Sequence, residues 1–178
     1  MKTCLTIIFS FLFFLSFAKE GDVPSSIYSF KVTAANGNTI DFANYKGKKI
    51  LIVNTPEEAD YSRQYSELEA LYQKYKDRLV IIGFLTNDFQ IEPGSKKNPA
   101  RAKNYNITFP LASKVMVRGD QMAPIYKWLT EKKYNNLKDS EIGWDFQKYL
   151  IDANGVLVSV FAPKVKANSP EIISAIEK

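Results

Sequence analysis

The chain has no histidine, and its one cysteine, Cys4, lies among its first residues. Beyond that point it has neither of the two commonest side chains for nucleophilic and general-base work. It also has no second cysteine, so no internal disulfide can form and stability must come from packing. Charge of neither sign dominates. The 24 Lys and Arg against 19 Asp and Glu give a formal charge of +5, spread along the sequence. That excess describes a solvated surface and not a face built for nucleic acid. No internal repeat and no low-complexity segment is present, and the composition is that of an ordinary globular protein.

The beginning of the chain reads as a secretory signal. Lys2 supplies a positive charge, Leu5 to Phe17 is a nearly unbroken apolar run, and Ser16-Phe17-Ala18 places small residues at both ends of a cleavage tripeptide. The expected signal is 1–18, cut after Ala18. An uncleaved anchor is the competing reading, but the run is short beside the roughly 20 residues of a membrane-spanning helix. Cys4 precedes the apolar run, which argues against lipid modification. The expectation is a secreted or periplasmic protein of one domain, 19–178, without stable membrane insertion after cleavage.

Along that domain, Ile27 to Thr33 reads as a strand, Asn36-Gly37 as a hairpin turn and Thr39 to Phe42 as the return strand. Ile50 to Val53 is a solid apolar run, suited to a strand buried on both faces. Tyr61, Tyr65, Leu68, Tyr72 and Tyr75 recur at helical spacing, with Asp60 or Ser62 as cap. Leu79 to Leu85 is a second apolar run, which makes a right-handed βαβ unit. Thr86 to Pro110 reads mostly as loop, with a short helix around Ala100 to Tyr105. Pro124 to Lys133 predicts a helix burying Ile125, Trp128 and Leu129. Phe146 to Ile151 and Val156 to Phe161 predict a hairpin around Asn154-Gly155. Ser169 caps a last helix with Pro170 at its first position and Ile172, Ile173 and Ile176 inward. This order predicts a thioredoxin-like α/β fold: a mixed central sheet flanked by helices, with an N-terminal β-hairpin. In such sheets the site lies beyond the C-terminal end of the first core strand, here Asn54 to Ser62.

The run Gly47 to Asn54, then Gln64-Tyr65 and Glu67 to Tyr72, resembles the glutathione peroxidase family. Further landmarks agree: Gly83-Phe84, Asn87, Phe89, Glu92 to Ser95, Tyr105 to Pro110, Trp144-Asp145-Phe146, Asp152 and Phe161-Ala162-Pro163. The resemblance covers essentially the whole domain. It implies a hydroperoxide reductase whose thiol or selenol nucleophile is assisted by a glutamine, a tryptophan and an asparagine. On that pattern the nucleophile falls on Ala59, the glutamine on Asp88, the tryptophan on Trp144 and the asparagine on Asp145. The cysteine often found before the Asn-Gln pair is Thr86. Only Trp144 keeps the family residue.

Alanine cannot attack a peroxide, and a nearby hydroxyl is too weak a nucleophile without an activating base. Glu57, Glu58, Asp60, Asp88 and Asp145 would ring the former sulfur position with carboxylates, which raise a thiol's pKa. The leading expectation is therefore a peroxidase-dead family member that binds an unidentified protein or small molecule through the surviving pocket. An active peroxidase of the oxidative stress response is the second reading. A cation-binding or structural envelope protein is the third, since carboxylates can gather a hard cation. Against that third reading, Asp60 can be a helix cap and the remaining acids solvated. No cofactor and no resident metal is expected, nor a nucleic-acid partner. Short loops between Trp128 and Trp144 point to a monomer. Trp144 is expected to pack the pocket floor. Lys96, Lys97, Arg101 and Lys103 could meet an anionic thiol, though a solvated loop-helix surface accounts for them better.

Overall fold

The computed structural model describes residues 23–56, 62–89 and 106–178. The expected signal peptide, the Ala100 to Tyr105 helix, Tyr61, and the positions Glu57, Glu58, Ala59, Asp60, Lys96, Lys97, Arg101 and Lys103 lie outside them.

The β-sheet at the centre has five strands. In chain order they are β3 (Lys49–Pro56), β4 (Leu79–Thr86), β5 (Leu111–Ala112), β6 (Lys148–Ile151) and β7 (Leu157–Phe161), and in space the order is β5-β4-β3-β6-β7. The β3, β4 and β5 strands are parallel, β6 runs against β3, and β7 runs against β6 and so returns to the direction of the first three. A separate antiparallel hairpin, β1 (Lys31–Thr33) and β2 (Thr39–Asp41), turns at Gly37, whose φ of 87° needs a residue without Cβ. The architecture is the thioredoxin-like mixed sheet with an N-terminal hairpin. That hairpin covers the β5 edge, because the Ala35 and Ser113 amides bond the Leu111 and Thr33 carbonyls.

Alternation along β3 sorts the core into two layers. Ile50 and Ile52 face one side with Phe84, Tyr149 and the residues Ile125, Tyr126, Trp128 and Leu129 of α2 (Pro124–Thr130). Leu51 and Val53 face the other, against Tyr65, Leu68 and Leu71 of α1 (Ser62–Tyr75). Ile172 and Ile176 of the C-terminal helix, which starts at Pro170, join that second layer.

Four local expectations change. The segment from Ile27 begins as a 3-10 turn, since the Ser26 hydroxyl accepts the Tyr28 amide and curls the chain before β1. The helix from Pro124 stops at Thr130 because Glu131 is extended, and α3 (Lys132–Asn135) starts anew, making the C-terminal helix α4 (Pro170–Glu177). Phe146 is not in a strand: its φ is 63°, in the left-handed region, and β6 starts two residues later. Ile173 is only half-buried, lining a shallow groove between α1 and α4.

The turn between β6 and β7 is pinned to the N-terminal segment. Tyr28 donates its hydroxyl to the Ala153 carbonyl at 2.9 Å, and its ring lies where a Cβ on Gly155 would fall, 2.6 Å away. Gly155 also has a φ of 86°. Gly155→Ala is therefore expected to cost about 1–3 kcal/mol, readable as a lower midpoint in chemical denaturation with an unchanged slope. An unaltered midpoint would refute the clash.

Candidate functional site

The C-terminal end of β3 carries the site, as expected for this topology. Asn54 is fully buried there and brackets a turn from another part of the chain. Its side-chain amide donates to the Trp144 carbonyl at 3.1 Å, and its own carbonyl accepts the Phe146 amide at 2.7 Å. Between these two bonds sits Asp145. The turn is held from the opposite sheet face too. Lys148, 1 % exposed, donates its ammonium to the Phe146 carbonyl at 2.6 Å. The Phe146 ring packs edge-on against Tyr65, with centroids 5.4 Å apart. Gln147 ties down the approach by accepting the Gly143 amide and donating to the Glu141 carbonyl and the Tyr149 hydroxyl. These bonds hold the unfavourable φ of Phe146 in place.

Asp88 sits just beyond β4. Its carboxylate accepts the backbone amides of Val117 and Arg118 at 2.7 and 3.2 Å, and the Arg118 guanidinium bonds back to the Asp88 carbonyl. A position assigned to a peroxide-orienting glutamine thus ties two loops together. Its amide is in turn accepted by the Thr86 hydroxyl. The Arg118 guanidinium lies 4.5 Å over the Phe89 ring, and Phe89 leans on Trp144 with centroids 5.4 Å apart. Trp144 is 38 % exposed, so it forms an aromatic shelf at the surface and not the buried floor expected from the sequence.

Asp145 is 7 % exposed and its Oδ1 has no hydrogen-bond partner. Burial, with the neighbouring Asp88 charge adding to it, raises its carboxyl from 3.8 to about 6. Tyr126, directly across on α2, is fully buried, and burial raises its phenol well above the ordinary range. The charges of Tyr149, Asp145 and Asp88 push it the same way. Burial lowers the Lys148 ammonium to about 8, against the pull of Glu67. Among the described residues no group of three or more His, Cys, Asp or Glu could hold a metal ion.

Asp88 therefore meets the Trp144-Asp145 pair, distant from it in sequence, at one end of the sheet. Ala59 and the Glu57, Glu58 and Asp60 carboxylates lie outside the described residues. Sequence reasoning passed over Asn54 as a partner of the Trp144 turn, and it missed Lys148, Arg118 and Tyr126. Asn54 does interrupt an apolar run ending in Val53, which is a visible signal. Lys148 offers none, since a lysine inside a short strand reads as solvent-facing.

The relatives place this thioredoxin-like fold in a family. The family model for glutathione peroxidase matches residues 27–130. The chain is 40% identical over 142 residues to the glutathione peroxidase-like peroxiredoxin gpx1 of Schizosaccharomyces pombe, covering 78% of this chain and 89% of that one. It is 39% identical over 145 residues to the glutathione peroxidase homolog BsaA of Staphylococcus aureus, covering 79% and 91%. The crystal structure of T. cruzi GPX1 superposes with a TM-score of 0.67 at 30% identity, over 84% of this chain and 92% of that one. The chain belongs to the glutathione peroxidase family. Among the described residues no helix is long and apolar enough to cross a membrane.

The raised Asp145 carboxyl has a definite pH signature. Its folded value lies above the unfolded one, so its contribution to stability is complete below about pH 4 and is lost as the pH rises through about 6. Asp145→Asn is expected to stabilise the protein above pH 7, by an amount on the order of 2 kcal/mol, and to leave it unchanged near pH 4. Thermal melts of both proteins at pH 4 and pH 8 test this. A gain of equal size at both values would mean that ionisation is not its source.

Proposed function

We propose that this family member does not turn over hydroperoxides and acts by binding a protein or small molecule at the site beside Trp144. The observation that carries this reading is Ala59, which stands where the family motif has its thiol or selenol. Peroxide reduction moves two electrons from that atom to the O–O bond, and a methyl group has none to give. The surroundings support the same reading. Asp145 would oppose a thiolate nearby by its charge, and Asp88 is spent on the backbone of Val117 and Arg118. The scaffold under the site is nevertheless complete, from the Asn54 bracket to the Lys148 clamp.

The rival reading, a hydroperoxide reductase, is favoured by the names of relatives, one of which is a glutathione peroxidase of Lactococcus lactis at 34% identity. Peroxide consumption by the purified protein, with glutathione or thioredoxin as reductant, decides between them. No turnover above buffer is expected, and turnover that survives metal removal would overturn the proposal. Ala59→Cys is expected to give weak activity at best. Adding Asp88→Gln and Asp145→Asn is expected to raise it, and equal activity of the single and triple variants would show that the two carboxylates do not matter.

The reading also includes export. The apolar run Leu5 to Phe17, ending in Ser16-Phe17-Ala18, supports a leader removed on secretion. The N-terminal residue of the protein recovered from outside the cytoplasm is expected to be Lys19. An intact Met1 there would refute cleavage.

A further inference from the structure

Three buried oxygens at the site end of the sheet lack a hydrogen-bond partner: Asn54 Oδ1, Tyr126 Oη and Asp145 Oδ1. Asn54 and Tyr126 are fully buried and Asp145 is 7 % exposed. The Asn54 amide nitrogen is bound to the Trp144 carbonyl, so its oxygen lies at the same turn as Asp145. Asn54 also continues the Ile50 and Ile52 face of β3, and it is in register with Phe84, whose ring meets Tyr126 edge-on at 5.5 Å. Tyr126 is in turn close enough to Asp145 to feel its charge. A buried acceptor left without a donor costs about 1–3 kcal/mol, and a buried charge costs more.

What these oxygens need is positive charge and N–H or O–H donors. The Tyr126 hydroxyl can donate within the group, but the charges that act on it are those of Asp88, Asp145 and Tyr149, none of them a cation. Asp88 and Tyr149 face the group and bring no cation, while Arg118 is engaged on the Asp88 carbonyl and the Phe89 ring. Lys148 points to the opposite face, into the Phe146 and Pro163 carbonyls. A divalent ion would ask for six or more oxygens, largely carboxylate and water. A primary ammonium brings one charge and three donors, matching three acceptors. An aromatic face at the rim adds attraction for such a cation, and Trp144 offers one with 38 % of its surface open.

We propose that this end of the sheet binds the primary ammonium group of a ligand, received by Asp145 Oδ1, Asn54 Oδ1 and Tyr126 Oη beside the exposed indole of Trp144. The inference rests on the reading that the site survives as a binding pocket. It names the chemistry of the ligand: an alkylamine, a polyamine or a lysine side chain, opposite in charge to the thiolate that the family's nucleophile presents.

The test is a titration of the purified full-length protein with methylammonium chloride, read by tryptophan fluorescence and by melting temperature. Tetramethylammonium chloride, potassium chloride and magnesium chloride at matched ionic strength are the controls. Methylammonium is expected to give a saturable fluorescence change and a higher melting temperature at pH 7.5. Its affinity should fall about tenfold by pH 5, as Asp145 takes up its proton. Asp145→Asn should abolish the response, and Tyr126→Phe, which keeps the ring, should weaken it several-fold. An equal response to tetramethylammonium or potassium, a stronger one to magnesium, or an unchanged one in Asp145→Asn would overturn the inference. Peroxide turnover would refute the binding-only reading while leaving this titration intact, so the two failures are distinguishable.

Discussion

The two hydrogen bonds of Asn54 fix the geometry on which the site depends. One residue at the end of the central strand uses its backbone carbonyl on Phe146 and its side chain on Trp144. The turn between them is thereby joined to the central strand of the sheet. That turn has to adopt a left-handed backbone at a phenylalanine, a conformation that an isolated peptide would abandon. It holds because three elements grip it together: β3 through Asn54, β6 through Lys148, and α1 through Tyr65. These bonds go to the backbone or to Phe146, so the turn is held without any contact from the Asp145 side chain.

A carboxyl at Asp145 gives the site a different electrical character from the amide that the family resemblance implies there. An asparagine side chain can donate and accept, and it is neutral at every pH. An aspartate in the same buried place has lost its donor and gained a charge with no partner for one oxygen. Asp88, which the family resemblance sets at a glutamine position, has different surroundings. Its carboxylate found two backbone amides and became part of the loop structure. Two carboxylates at one site thus differ, one bonded to backbone amides and one buried with an oxygen unpartnered.

Much of this was legible in the sequence. Strand and helix periods over Ile50 to Leu85 place the βαβ unit, and Asn36-Gly37 and Asn154-Gly155 place the hairpins, because those signals are local. The family spacing places Asp88, Trp144 and Asp145 together. What escaped was decided by tertiary partners. Lys148 is buried because the Phe146 and Pro163 carbonyls await it, and nothing in Gln147-Lys148-Tyr149 says so. Phe146 leaves the extended region because Asn54 claims its amide. Trp144 turns outward onto Phe89, a contact between segments far apart in the chain. The break at Glu131 goes against a helical pattern that runs on to Lys133. In the first three cases a long-range contact overrode a local preference.

The two edges of the sheet are treated differently. On one side the β1–β2 hairpin lies over β5 and takes up its free amides and carbonyls. On the other, β7 ends the sheet with Val158 and the adjoining Val156 turned to solvent. A strand in that position is a template for further pairing. Here its register against β6 slips between Leu150 and Ile151, and such a bulge adds twist to the ribbon. The sheet can therefore grow in one direction only, and the bulge is a built-in brake on that growth. Among the described residues the edge left for further pairing is β7, on the flank of the sheet away from the hairpin.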